Sequence, residues 1–151
     1  MEKESLIQKL INARNLGTGE EYQAFESAME KLGEDLRVED IDSICRAFYD
    51  DTQDEEVMFG LIHLIEQLPG EGYLKKIALC TPEMKDGREW ALTLNRRILN
   101  SPQDLEMYAD VIKSLTEAQR QRLFVLFEDI KNDNPDRFME KVEYIYKKIG
   151  R

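Results

Sequence analysis

A chain of 151 residues with 42% apolar and 34% charged side chains is sized for one domain, residues 1 to 151, whose core needs neither a disulfide nor a metal to fold. A net charge of -10 argues against nucleic acid and anionic membranes as partners, because phosphate recognition draws on lysine and arginine stripes. No apolar run approaches the roughly 20 residues that span a bilayer, and the acidic start MEKESLIQKL lacks the basic-then-apolar order of a secretory signal, so the expected compartment is the cytoplasm.

Nearly every segment spaces its apolar residues at a helical period, and none alternates long enough for a strand. The expected fold is all-α, with about nine helices packed antiparallel in an α-α superhelix or an irregular bundle. The first covers residues 3 to 14, turns Leu6, Ile7, Leu10 and Ile11 inward and stops before Gly17. Thr18 followed by Glu21 is a capping box opening the second, whose stripe is Tyr22, Phe25, Ala28, Met29 and Leu32 and whose end is Gly33. A third covers Val38 to Tyr49 and buries Ile41, Ile44, Cys45 and Phe48.

Thr52 and Glu55 match a second capping box at the head of the fourth helix, where Asp54, Glu55 and Glu56 suit the positive end of the helix dipole. Mid-helix Gly60 costs about 1 kcal/mol relative to alanine, which points to a close approach by a neighbour. Pro69-Gly70 breaks the chain before a fifth helix, Gly72 to Cys80, and Thr81-Pro82 closes that one. The sixth, Asp86 to Asn100, carries Trp90, Leu94 and Ile98 as core, with Arg96 or Arg97 in reach of an acid on the fourth helix. Ser101-Pro102 starts the seventh, which buries Leu105, Tyr108, Ala109 and Ile112. Thr116 and Gln119 cap the eighth, and the last runs from Asp136 to Ile149 with Lys147 and Lys148 at its end.

Charge is distributed unevenly. Residues 1 to 75 hold 18 acids and 7 bases, and Glu34 to Glu56 holds ten acids against Arg37 and Arg46. Such a field speeds encounter with a basic partner, or else it is a solvated face that keeps the protein dissolved. Metal chemistry does not fit this segment. An EF-hand starting at Asp50 would need glycine and glutamate where Glu55 and Leu61 stand. With His63 as the one histidine, and Cys45 and Cys80 too far apart in sequence for zinc spacing, no metal and no cofactor is expected. The two thiols read as reduced and buried. No nucleophile elbow and no phosphate-binding glycine loop occur, so no catalytic residue is assigned. His63 shares a helix face with Glu56, Phe59, Gly60, Glu66 and Gln67, and its plain role is a partly buried imidazole held by a hydrogen bond.

The segment from Phe48, Asp50 and Asp51 into Glu56-Val57-Met58-Phe59-Gly60-Leu61-Ile62-His63, then Ile65 and Glu66, resembles the immunity protein 30 family of bacterial polymorphic toxin systems. The resemblance extends to Glu89-Trp90-Ala91 and Arg97-Ile98-Leu99-Asn100, so it spans residues 45 to 100. It implies a small all-α cytoplasmic antitoxin, not an enzyme, that binds and neutralises the toxic C-terminal domain of a cognate toxin. A nuclease with a basic cleft would suit the acidic half. From charge and periodicity, the expected contact residues are Asp50, Asp51, Asp54, Glu55, Glu56 and His63. Two other readings stay open: a helical adaptor for an unrelated protein partner, and a hydrolase using Asp50, Glu56 or His63.

Overall fold

Apolar stripes at a helical period produce helices throughout the computed structural model, which describes residues 2–68 and 70–150. Among the described residues there are nine α-helices and no strand: α1 (Glu2–Ala13), α2 (Gly19–Gly33), α3 (Ile41–Ile44), α4 (Glu55–Ile65), α5 (Gly70–Cys80), α6 (Arg88–Leu99), α7 (Pro102–Lys113), α8 (Glu117–Asp133) and α9 (Pro135–Lys148). The fold is all-α, as the periodicity indicates. The proline of the expected Pro69-Gly70 break lies outside the described residues. The helices gather into two compact units, Met1–Pro69 with Met84–Trp90 and Gly70–Glu83 with Ala91–Arg151.

In the first unit α1 packs on α2, and α2 on α4. Thr18 caps α2 by accepting the Glu21 N–H at 3.1 Å, while the Glu21 carboxylate accepts the Gly17 N–H at 2.9 Å, one residue earlier than a strict box places it. The buried face of α2 is Phe25, Ala28 and Leu32, so Tyr22 falls on its flank and is 44% exposed. The expected third helix is broken up. A 3-10 turn at Val38–Asp40 leads into the single α-turn of α3, and a second 3-10 turn at Cys45–Ala47 passes into extended Phe48. Asp42, Ser43, Ile44 and Cys45 are weak helix formers. Burial of Ile41, Ile44, Cys45, Ala47 and Phe48 therefore decides the path, not propensity.

The second unit packs α5 on α7, α7 on α9 and α8 on α9. Its centre holds one polar network. Asn95, fully buried, donates to Thr81 Oγ1 at 3.1 Å and to the Ala91 carbonyl at 2.9 Å, and accepts the Tyr108 hydroxyl at 2.6 Å. Thr81 in turn donates to the Ile77 carbonyl at 2.7 Å, so every polar atom of the asparagine side chain is used. Burial pushes the Tyr108 phenol well above its ordinary pKa, and Tyr73 adds to the shift. Ser101 caps α7, and Thr116 with Gln119 closes both halves of the box on α8, as expected. Arg96 meets Asp133 of α8 at 3.5 Å and not an acid of α4. Neither cysteine forms a disulfide; Cys45 is buried, but Cys80 is only half-buried.

Candidate partner-binding surface

Residue 87 precedes α6 and is a glycine, so that helix has no side chain of its own at the usual capping position. Asp50 supplies one from 39 residues away in sequence: its Oδ1 accepts the Glu89 N–H at 3.0 Å, and its own N–H donates to the Asp86 carbonyl at 2.8 Å. Trp90 Nε1 donates to the Tyr49 carbonyl at 3.0 Å, and the indole packs near Phe48 and Phe59 with ring centroids 6.0 and 6.1 Å away. Trp90 is core, as its stripe suggested, at 8% exposure. A Cβ on Gly87 would lie 2.8 Å from the Phe48 carbonyl oxygen, so only glycine lets the two strands of backbone come this close.

The other side of the loop is held by the end of α1. Arg14 donates to the Arg46 carbonyl at 2.9 Å, pairs with Asp86 at 2.9 Å and lies over the Tyr49 ring at 4.6 Å. The Asn15 carbonyl accepts the Gln53 N–H at 2.7 Å and the Thr52 hydroxyl at 3.4 Å. Leu16 makes this possible by taking a left-handed φ of 51° with its side chain buried. These contacts correct the expected cap of α4. Thr52 is buried and spends its hydroxyl on Asn15, and Asp54 is the N-cap instead, accepting the Val57 N–H at 3.1 Å.

The six residues singled out by charge and periodicity thus divide. Asp50 and Asp54 are half-buried and cap α6 and α4. Asp51, Glu55 and Glu56 are exposed, and their carboxylates make no ion pair or hydrogen bond among the described residues; those of Glu34 and Glu39 share that state. Asp35 and Asp40 are answered by Lys3 at 3.7 and 2.9 Å. His63 is exposed, not partly buried, with its ring beside Phe59 at 5.1 Å between centroids. Phe59 also packs near Trp90, so one ring neighbours both the imidazole and the indole.

Chemically the surface is a row of carboxylates on a clamped loop and the first turn of the helix that follows it. No group of three or more histidine, cysteine, aspartate or glutamate residues that could hold a metal ion occurs among the described residues, and no helix there is long and apolar enough to cross a membrane. Arg14, Asn15 and Asp86 were invisible to sequence reasoning, since their partners lie 32 to 72 residues away. Among the comparisons, no curated protein and no solved structure matches the chain. Residues 12–108 match the family model described as immunity protein 30, a span that takes in Arg14, Asn15 and the whole clamped loop. That match covers more than half of the sequence, and the chain belongs to the immunity protein 30 family.

Proposed function

We propose that this protein binds and neutralises the toxic domain of a cognate polymorphic toxin in the cytoplasm, and that it does so by occupation of a basic surface without catalysing a reaction. The supporting observation is the set of exposed, uncompensated carboxylates Asp51, Glu55 and Glu56, the first on a loop that Arg14, Asn15 and Trp90 hold in place and the other two in the first turn of the α4 helix it leads into. A fixed loop loses little freedom on binding, and unpaired surface charge raises the rate of encounter with an opposite field. A nuclease toxin, whose substrate cleft must be basic to hold phosphates, offers the complementary surface. His63, exposed about two helical turns beyond Glu56 on α4, belongs to the same contact. Asp50 and Asp54 act beneath it by keeping the loop and helix in position.

The toxin domain encoded beside the gene tests this reading. Co-expression is expected to restore growth and to give a complex that co-purifies; growth arrest with no complex sinks the proposal. Reversing Asp51, Glu55 and Glu56 to lysine should lower the association rate by about 10- to 100-fold at low ionic strength, in a protein that still melts cooperatively, a few degrees lower because Glu55 and Glu56 sit in the first turn of α4. An unaltered rate would remove this face from the interface while leaving the immunity role in place.

A further inference from the structure

The flank of α2 that misses the core carries Tyr22, Glu26, Met29 and Gly33, at steps of four, three and four residues. It runs beside α4, and a shallow groove lies between the two helices, lined by Glu26, Met29, Glu30, Gly60, His63 and Leu64 among others. A glycine on each helix faces the other. A Cβ at Gly60 would stand 3.3 Å from the Met29 methyl, and one at Gly33 would stand 3.4 Å from a Leu64 methyl. The floor is therefore a thioether and a leucine side chain, soft and apolar.

The walls are charged. Glu26 and Glu30 stand one turn apart on α2, where like charges oppose each other. Neither makes an ion pair or hydrogen bond among the described residues, and no lysine or arginine lines the groove. An apolar floor beneath two uncompensated carboxylates matches one kind of side chain: a long aliphatic stem that lies on Met29 and Leu64, ending in a cation that meets both acids. Tyr22, exposed one turn before Glu26, adds an aromatic edge of the kind that surrounds interface anchors.

We infer that the α2–α4 groove seats an arginine or lysine side chain of the toxin domain as an anchor, separate from the loop carboxylates that govern encounter. The inference rests on the immunity reading. It predicts a different kinetic signature, because an anchor held in a groove acts on dissociation, whereas an exposed charge acts on association.

The test is binding of the inactivated toxin domain encoded beside the gene, measured by surface plasmon resonance on three proteins: the wild type, Glu26→Gln with Glu30→Gln, and a charge-matched control on α7, Glu106→Gln with Asp110→Asn. The control pair is exposed, where Glu26 is half-buried and Glu30 exposed, and like the groove pair it is four residues apart and without a side-chain partner among the described residues. The groove variant is expected to bind at least tenfold more weakly, mostly through faster dissociation, with the control within twofold of wild type. Equal losses in both variants would assign the effect to net charge and overturn the groove. No loss in the groove variant would overturn it too, while wild-type binding preserved the immunity role. No binding by the wild type would end both. Glu30→Gln alone, on an exposed residue that no described residue bonds, repeats the test with the smallest change to the fold: a faster dissociation supports the groove and an unchanged one counts against it.

Discussion

Replacing Asp54 by alanine removes the acceptor of the Val57 N–H and a negative charge from the head of α4. A lost N-cap costs about 1 kcal/mol and the lost charge about 0.5 kcal/mol, so the variant should be about 1.5 kcal/mol less stable. For a chain of this length that is a fall in melting temperature of about 3 to 6 °C. Asp50→Ala leaves the Glu89 N–H at the start of α6 without its acceptor and should cost about 1 kcal/mol. Asp51→Ala, between the two in sequence, breaks no contact and should stay within about 0.5 kcal/mol of wild type. Asp54→Asn keeps the acceptor and should recover most of the loss. Thermal and urea melts by circular dichroism on the four variants decide the matter. If Asp51→Ala proves as damaging as Asp54→Ala, or Asp54→Ala melts with wild type, the separation of capping acids from free acids is wrong.

Tyr108→Phe should cost about 1 to 3 kcal/mol, because it leaves Asn95 Oδ1 buried without its donor. The same residue gives a pH signature. Its native pKa lies above the unfolded value near 10, so its contribution is complete below about pH 10 and is lost as pH climbs toward the native value. Urea midpoints of wild type and Tyr108→Phe should therefore draw together above about pH 10; a constant gap would refute the assignment. Gly87→Ala should destabilise by about 1 to 3 kcal/mol through overpacking, since the new methyl meets the Phe48 backbone and not a yielding side-chain tip. Trp90, the chain's one tryptophan, reports on that contact by its fluorescence, and an unshifted emission maximum with wild-type stability would count against it.

Local signals in the sequence served well wherever the partner was also local. The caps at Thr18, Ser101 and Thr116 each bond a residue three positions on, and Gly60 does sit against a neighbour, Met29. Errors came where distant chain intervened. The capping-box pattern favours Thr52 at the start of α4, but Asn15, 37 residues earlier, accepts its hydroxyl and leaves the cap to Asp54. The third helix failed because its burial was legible but its weak propensity let that burial bend it. Residue type favours a partly buried imidazole at position 63, whereas the buried face of α4 is Met58, Leu61, Ile62, Leu64 and Ile65 and leaves His63 outside it. Periodicity also put Tyr22 and Met29 in the core stripe of α2, and a flank position differs from a core position by less than one residue's rotation.

The alternation along Asp50, Asp51, Asp54 and Glu55 has a consequence for how such a protein can change. Scaffold and recognition are written in the same residue type, a carboxylate, within a few positions of each other, yet they answer to different demands. Asp51 breaks no contact when exchanged, and Glu55 and Glu56 support the start of α4 only through the helix dipole, so a new target surface can be matched by altering these three at small cost in stability. Asp50 and Asp54 cannot follow, because α6 and α4 begin on them. A single loop can thus drift in what it recognises while holding still in shape.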